Sequence, residues 1–117
     1  MIKNKKKSSQ VVFAAMSKRN FYLREYIIKF ILETGFTPMC AFMMYSYFLL
    51  GTVDRQKLID ANNQLIEKSD ELWVFGEITD GVEKEINLAK KLKLAVKYFE
   101  IEPVTLKFSE VKRSRNE

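Results

Sequence analysis

Hydrophobic positions along the chain fall into two patterns, unbroken apolar runs and stripes at helical spacing. Val11-Val12-Phe13-Ala14-Ala15-Met16 is an unbroken run, the pattern of a central parallel strand covered on both faces. Leu23, Ile27, Phe30, Ile31 and Thr34 then recur every three or four residues, which predicts a long amphipathic helix closed by Gly35. Phe36 to Met39 reads as a short second strand or extended turn, because Pro38 argues against a long central strand. Met39 to Leu50 is the most apolar stretch, broken only by Ser46. Its 12 residues are short of the roughly 20 that span a bilayer. It is expected to be a buried helix, an irregular segment or a subunit interface ending at Gly51.

Thr52 or Asp54 is expected to cap the next helix, whose inward stripe is Leu58, Ala61, Asn62, Leu65 and Ile66. Asn62 is polar on an apolar side, so it either bonds to backbone or touches a ligand. Asp60 lies on the opposite, solvated face. Leu72 to Phe75 is a third strand bounded by Gly76. Asp80-Gly81-Val82-Glu83 has the form of a capping box. It opens a helix on which Val82, Ile86, Ala89 and Leu92 share a face. Leu94 to Phe99 closes a βαβ unit, which builds a right-handed parallel crossover. Pro103 then breaks the chain, and Val104 to Phe108 reads as an edge strand or a subunit contact.

The order β-α-β-α-β-α-β predicts a small three-layer α/β/α sandwich with a mostly parallel, flavodoxin-like or Rossmann-like sheet, strand order 2-1-3-4. Its winding reverses between the first and third strands, and ligands of such sheets bind at the carboxyl ends there. Those ends lead into Ser17, Lys18 and Arg19 on one side and into Gly76, Asp80, Gly81 and Glu85 on the other. Glu85 is out of place. At ~100° per residue it falls inside the apolar stripe, which predicts a carboxylate aimed at the sheet from the first helical turn. The helix dipole favours its ionised form there, and burial opposes it. The plainer reading is a rim carboxylate that reaches water.

The length of 117 residues fits one domain, and 47% hydrophobic content suffices for a core. The organisation expected is a disordered basic tail over 1–10, a single domain over 11–100, and an extension over 101–117 that forms an edge strand or a loose tail. The net charge of +5 lies in the ends: residues 1–7 carry +4, residues 107–117 carry +2, and the rest carries −1. Such tails attract nucleic acid weakly and without sequence preference, or merely solubilise. The absence of histidine excludes His-based triads and His-ligated metals. The single Cys40 excludes an internal disulfide and fits a reducing cytoplasm. It is expected to be a buried structural thiol. Val11 to Met16 is too short for a signal peptide. No metal, cofactor or membrane association is expected.

Asp70 to Phe75, then Asp80-Gly81-Val82-Glu83-Lys84-Glu85-Ile86 and Ala89, then Ala95-Val96, together resemble the nucleoside 2-deoxyribosyltransferase-like superfamily, in particular its short bacterial and phage-type members of unassigned function. The resemblance covers about residues 11–99. It implies that Glu85 is the nucleophile attacking C1′ of a deoxyribose, and that Asp80 holds the sugar or base. It implies backbone approach to the ligand at Gly81. It also implies, as in relatives that hydrolyse nucleoside monophosphates, a 5′-phosphate loop at Ser17, Lys18 and Arg19. The alternative there is that Ser17 caps a helix and the two cations are solvated. The sequence departs from the active members in offering Phe13 where they carry an aromatic hydroxyl, and Asn62 where they carry an acid. The spacing from Asp80 to Glu85 is also tighter than in some members. Three functions follow: cleavage of an N-glycosidic bond in a nucleoside or nucleotide, a non-catalytic nucleotide-sensing module, or a structural or interaction protein of the same fold. Superfamily members are often oligomeric. Met39, Met43, Met44, Tyr45, Tyr47 and Phe48 are more apolar than so small a sheet needs, which predicts a homo-oligomer through the Met39–Leu50 region.

Overall fold

The computed structural model describes residues 10–45 and 47–112, with only the backbone at 47, 48 and 50. The expected basic tail falls on residues 1–9 and the end of the extension on 113–117, both outside the described residues. Strand β1 is Val11–Met16 and is followed by a 3-10 helix, Lys18–Leu23, and then helix α1, Arg24–Glu33. Strand β2 is Thr37–Met39, helix α2 is Ala41–Met44 and helix α3 is Tyr47–Thr52. Helix α4 is Arg55–Glu67, strand β3 is Glu71–Phe75 and helix α5 is Asp80–Lys91. Strands β4, Ala95–Glu102, and β5, Lys107–Val111, complete the chain.

The sheet order is β2-β1-β3-β4-β5. The first four strands pair in parallel, in the predicted 2-1-3-4 order, and β5 adds an antiparallel edge to β4. Alternation along the strands feeds two cores. Val12, Ala14, Met16, Trp73, Phe75 and Phe99 face one way and meet Ile27 and Ile31 of α1. Phe13, Ala15, Leu72 and Val74 face the other way and meet Ile66 of α4 with Val82, Ile86 and Ala89 of α5. Complete burial of Ile27 and Ile31 stabilises the α1 layer by about 1.5–3 kcal/mol each. On this face Phe30 stacks on Phe108 with centroids 4.6 Å apart and meets Phe99 edge-on at 5.3 Å. That cluster fastens the edge strand β5 to the body.

Local chemistry explains the boundaries. Gly35 has φ +98°, and it ends α1 by donating its N–H to Leu32 while Phe36 donates to Ile31; this is a Schellman closure of the orphan carbonyls. Asp54, not Thr52, caps α4 by accepting from the Gln56 N–H at 3.2 Å. Asp70 ties β3 to β1 twice: its Oδ2 accepts from the Val11 N–H at 2.7 Å and its own N–H donates to the Val11 carbonyl at 2.8 Å.

Several expectations need correction. The helix predicted from Leu23 begins as a 3-10 turn at Lys18, because Ser17 captures the Arg19 N–H and tightens the chain. The Met39–Leu50 segment is two short helices, and Gly51 lies inside α3 rather than ending it. The N-cap of α5 is Thr79, so Asp80 is the first helical residue rather than the cap. Leu92 sits at the C-cap and is exposed, outside the apolar stripe. The edge strand starts at Lys107, since residues 103–106 form the turn, with the Glu102 carboxylate taking the Thr105 N–H at 2.7 Å.

Candidate functional site

Helix α5 carries Val82, Ile86 and Ala89 into the second core. Glu85 stands one residue before Ile86 and three after Val82, at the edge of that stripe, and its side chain turns toward β1. Helix α4 packs beside α5 and presents Asn62 from its own inward face. The two meet directly: Asn62 Nδ2 donates to Glu85 Oε2 at 2.6 Å. Asn62 is therefore bonded to a side chain, not to backbone.

A cleft opens beside this pair. It is lined by Phe13, Ala14 and Met16 of β1, by Cys40, Ala41 and Phe42 after β2, and by Asn62 and Glu85. It lies at the carboxyl ends of β1 and β2. Its free volume is about 30 Å3, room for one or two waters, so a larger ligand displaces a wall. Phe42 is the side chain that holds the outer wall, packed edge-on against Phe21 at 5.3 Å.

The electrostatics of Glu85 follow from this setting. Burial pushes its carboxyl up to about 7, and the Asn62 amide pulls weakly the other way. Glu85 is the sixth residue of α5 rather than a first-turn residue. The dipole fades within the first turn, which is why burial prevails. Among the described residues no cation is paired with Glu85. Cys40 is buried as expected, and burial pushes its thiol up, which keeps it neutral and a poor nucleophile.

The remaining sequence candidates do not join this pair. The loops after β1 and β3 do meet, through Asn20 Nδ2 donating to the Phe75 carbonyl at 3.2 Å and an exposed Arg19–Glu77 ion pair at 3.5 Å. Asn20 bridges the two loops there, and the cleft beside Glu85 lies one strand further toward β2. Gly76, at φ +86°, lies against the Asn20 amide so closely that a Cβ would collide with it. Ser17 is buried and accepts from the Arg19 N–H at 3.0 Å, so it is a cap. Lys18 and Arg19 are exposed and outside the cleft. Asp80 is exposed and sits five residues before Glu85, about 140° around the helix. Gly81 is exposed and a Cβ there would meet open space, so no close approach requires a glycine. Sequence reasoning passed over Met16, Asn20, Ala41 and Phe42 as site residues, and read Phe13 and Cys40 only as a departure from the superfamily pattern and a structural thiol. The segment after β2, at the carboxyl edge of a parallel sheet, was the available signal for the outer wall.

A family model described as a domain of unknown function, DUF7768, matches residues 11–99. The chain belongs to this family. The match takes in β1 through Phe99 of β4, and thus every residue lining the cleft. No curated protein matches the chain. Among the described residues no cluster of three or more Cys, Asp or Glu could hold a metal ion, and no helix is long and apolar enough to cross a membrane.

Proposed function

We propose that the protein binds a nucleoside or nucleotide in the cleft beside β1 and cleaves its N-glycosidic bond through Glu85. The observation that carries this reading is the Asn62–Glu85 hydrogen bond of 2.6 Å at the edge of an otherwise apolar cleft. A carboxylate there is held in one orientation by a neutral donor and keeps its second oxygen for a ligand. Pushed up to about 7, it is present at neutral pH in both forms. Its ionised form serves as nucleophile toward the anomeric carbon: a glycosyl ester forms on Glu85 as the C1′–N bond breaks, the departing base takes its proton from water, and a water or a second base then opens the ester and restores the carboxylate. The resemblance of Asp70 to Phe99 to the nucleoside 2-deoxyribosyltransferase-like superfamily points the same way.

A thermal-shift panel of nucleosides, deoxynucleosides and their 5′-phosphates tests the reading, with chromatography of any stabilising ligand for released base. Stabilisation with base release that disappears in Glu85→Ala supports it. Stabilisation without release favours a second reading, a non-catalytic nucleotide-sensing module, for which the small cleft and the apolar Phe13 in its wall speak. No stabilisation by any compound removes both and leaves a structural or interaction protein. Exposed Met43, Met44 and Leu49 support a related proposal, that copies associate through the segment after β2. A monomeric mass by light scattering at tens of micromolar overturns it.

A further inference from the structure

Among the described residues that line the cleft, Glu85 is the acidic one, and no cation is paired with it. Phe13, Ala14, Met16, Ala41 and Phe42 there are apolar, Cys40 is a neutral thiol, and Asn62 gives one of its amide N–H groups to Glu85. Glu85 receives a single hydrogen bond from the described residues, although a carboxylate has room for about four. The described candidate anion-binding groups have other partners, although the Arg24 charge is felt at Cys40. Arg19 leans on Glu77, and Ser17 Oγ is occupied by the Arg19 N–H. Arg24 donates to the Phe21 carbonyl at 2.8 Å and stacks on the Phe21 ring. An anionic group entering the cleft would meet, once Glu85 is ionised, a carboxylate with no cation paired to it among the described residues, whereas a hydroxyl or an ammonium would satisfy the open oxygen.

We infer that the ligand portion entering this cleft is uncharged or cationic, presents at least one hydrogen-bond donor to Glu85, and carries no phosphate. This rests on the cleft's being the ligand site, as proposed above, and narrows that reading from nucleotides to ligands whose buried end is a hydroxyl or amine. Like charges forced together in a poorly hydrated site cost enough to weaken binding by about tenfold or more.

The Asn62 side-chain amide reports occupancy of the cleft by NMR. The wild-type protein is titrated with nucleosides, the matching 5′-monophosphates, inorganic phosphate and ethanolamine, and each titration is repeated on Glu85→Gln, a neutral isostere. The expected result is that a nucleoside shifts the Asn62 resonances with affinity at least ~10-fold above its monophosphate, and that the gap narrows in Glu85→Gln. Phosphate or a monophosphate shifting those resonances as strongly as the nucleoside overturns the inference. If no nucleoside shifts them, the nucleoside reading fails on its own, and ethanolamine decides the narrower point. A shift by ethanolamine that is lost in Glu85→Gln upholds the charge selection, and no shift overturns it.

Discussion

Asn62 and Glu85 are 23 residues apart in the chain and 2.6 Å apart in the fold, and their hydrogen bond is where α4 and α5 meet the open end of the sheet. Most other side chains on those inward faces are apolar. The pair therefore combines a stability cost, the burial of a carboxylate, with a chemical opportunity.

The cost has a pH signature. Glu85 takes up its proton at about 7 in the folded protein, against 4.5 as its ordinary value, so the folded state binds the proton more tightly than the unfolded state. Its favourable contribution is fully present below about pH 4.5 and is lost as pH rises to about 7. The difference amounts to at most about 3 kcal/mol. Urea unfolding at pH 5 and pH 8 is expected to show Glu85→Gln gaining stability relative to wild type at the higher pH. An unchanged difference between the two proteins at both pH values would show that burial does not govern this carboxyl.

Removing the donor acts on the same group. Asn62→Ala is expected to destabilise the fold by about 1–3 kcal/mol at pH 8, where the lost bond is charge-assisted, and by less at pH 5. It also raises the Glu85 midpoint further, because the Asn62 amide is what holds it down. Carbon-detected NMR titration of the Glu85 carboxyl checks the direction, and a lowered midpoint contradicts it.

Gly76 and Asn20 form a second coupled pair. Gly76→Ala suffers both the φ of +86° and a collision with the Asn20 amide. A loss of about 1–3 kcal/mol is expected. In an Asn20→Ala background the collision is gone and only the backbone strain remains, so the cost of Gly76→Ala falls. Equal costs in both backgrounds, by denaturant unfolding, would mean that Asn20 moves aside freely.

Phe108 holds β5 through its stack on Phe30. Phe108→Ala is expected to cost about 2–4 kcal/mol and to raise hydrogen-exchange rates along Lys107–Val111 more than along β1. Uniform exchange changes across the sheet would place β5 inside the main cooperative unit instead.

Much of the fold was legible because its strands are unbroken apolar runs and its helices strict stripes. β1 and β3 keep the residues read from the sequence, and the 2-1-3-4 winding follows from the order of elements. Glu85 was legible because a carboxylate on an apolar stripe is rare enough to stand out. The misreadings share a cause, neighbouring residues of similar local preference. Thr79 and Asp80 both suit an N-cap, and tertiary packing of Val82 and Ile86 chose Thr79, which moved Glu85 out of the dipole's reach. Val104 to Phe108 reads as an edge strand after the break at Pro103, and the Glu102–Thr105 bonds draw Val104 to Leu106 into the turn instead. The cleft's outer wall was not legible, since α2 is only four residues long and Phe42 is placed by tertiary packing against Phe21 and the first core.

The most direct test of the central claim is a base-release assay on wild type and Glu85→Gln across a nucleoside panel at pH 6 to 8. The expectation is that wild type liberates free base from at least one nucleoside and that Glu85→Gln, folded and tested at saturating nucleoside, releases none. Release that continues at the wild-type rate in Glu85→Gln would contradict the assignment of Glu85 as the reacting group.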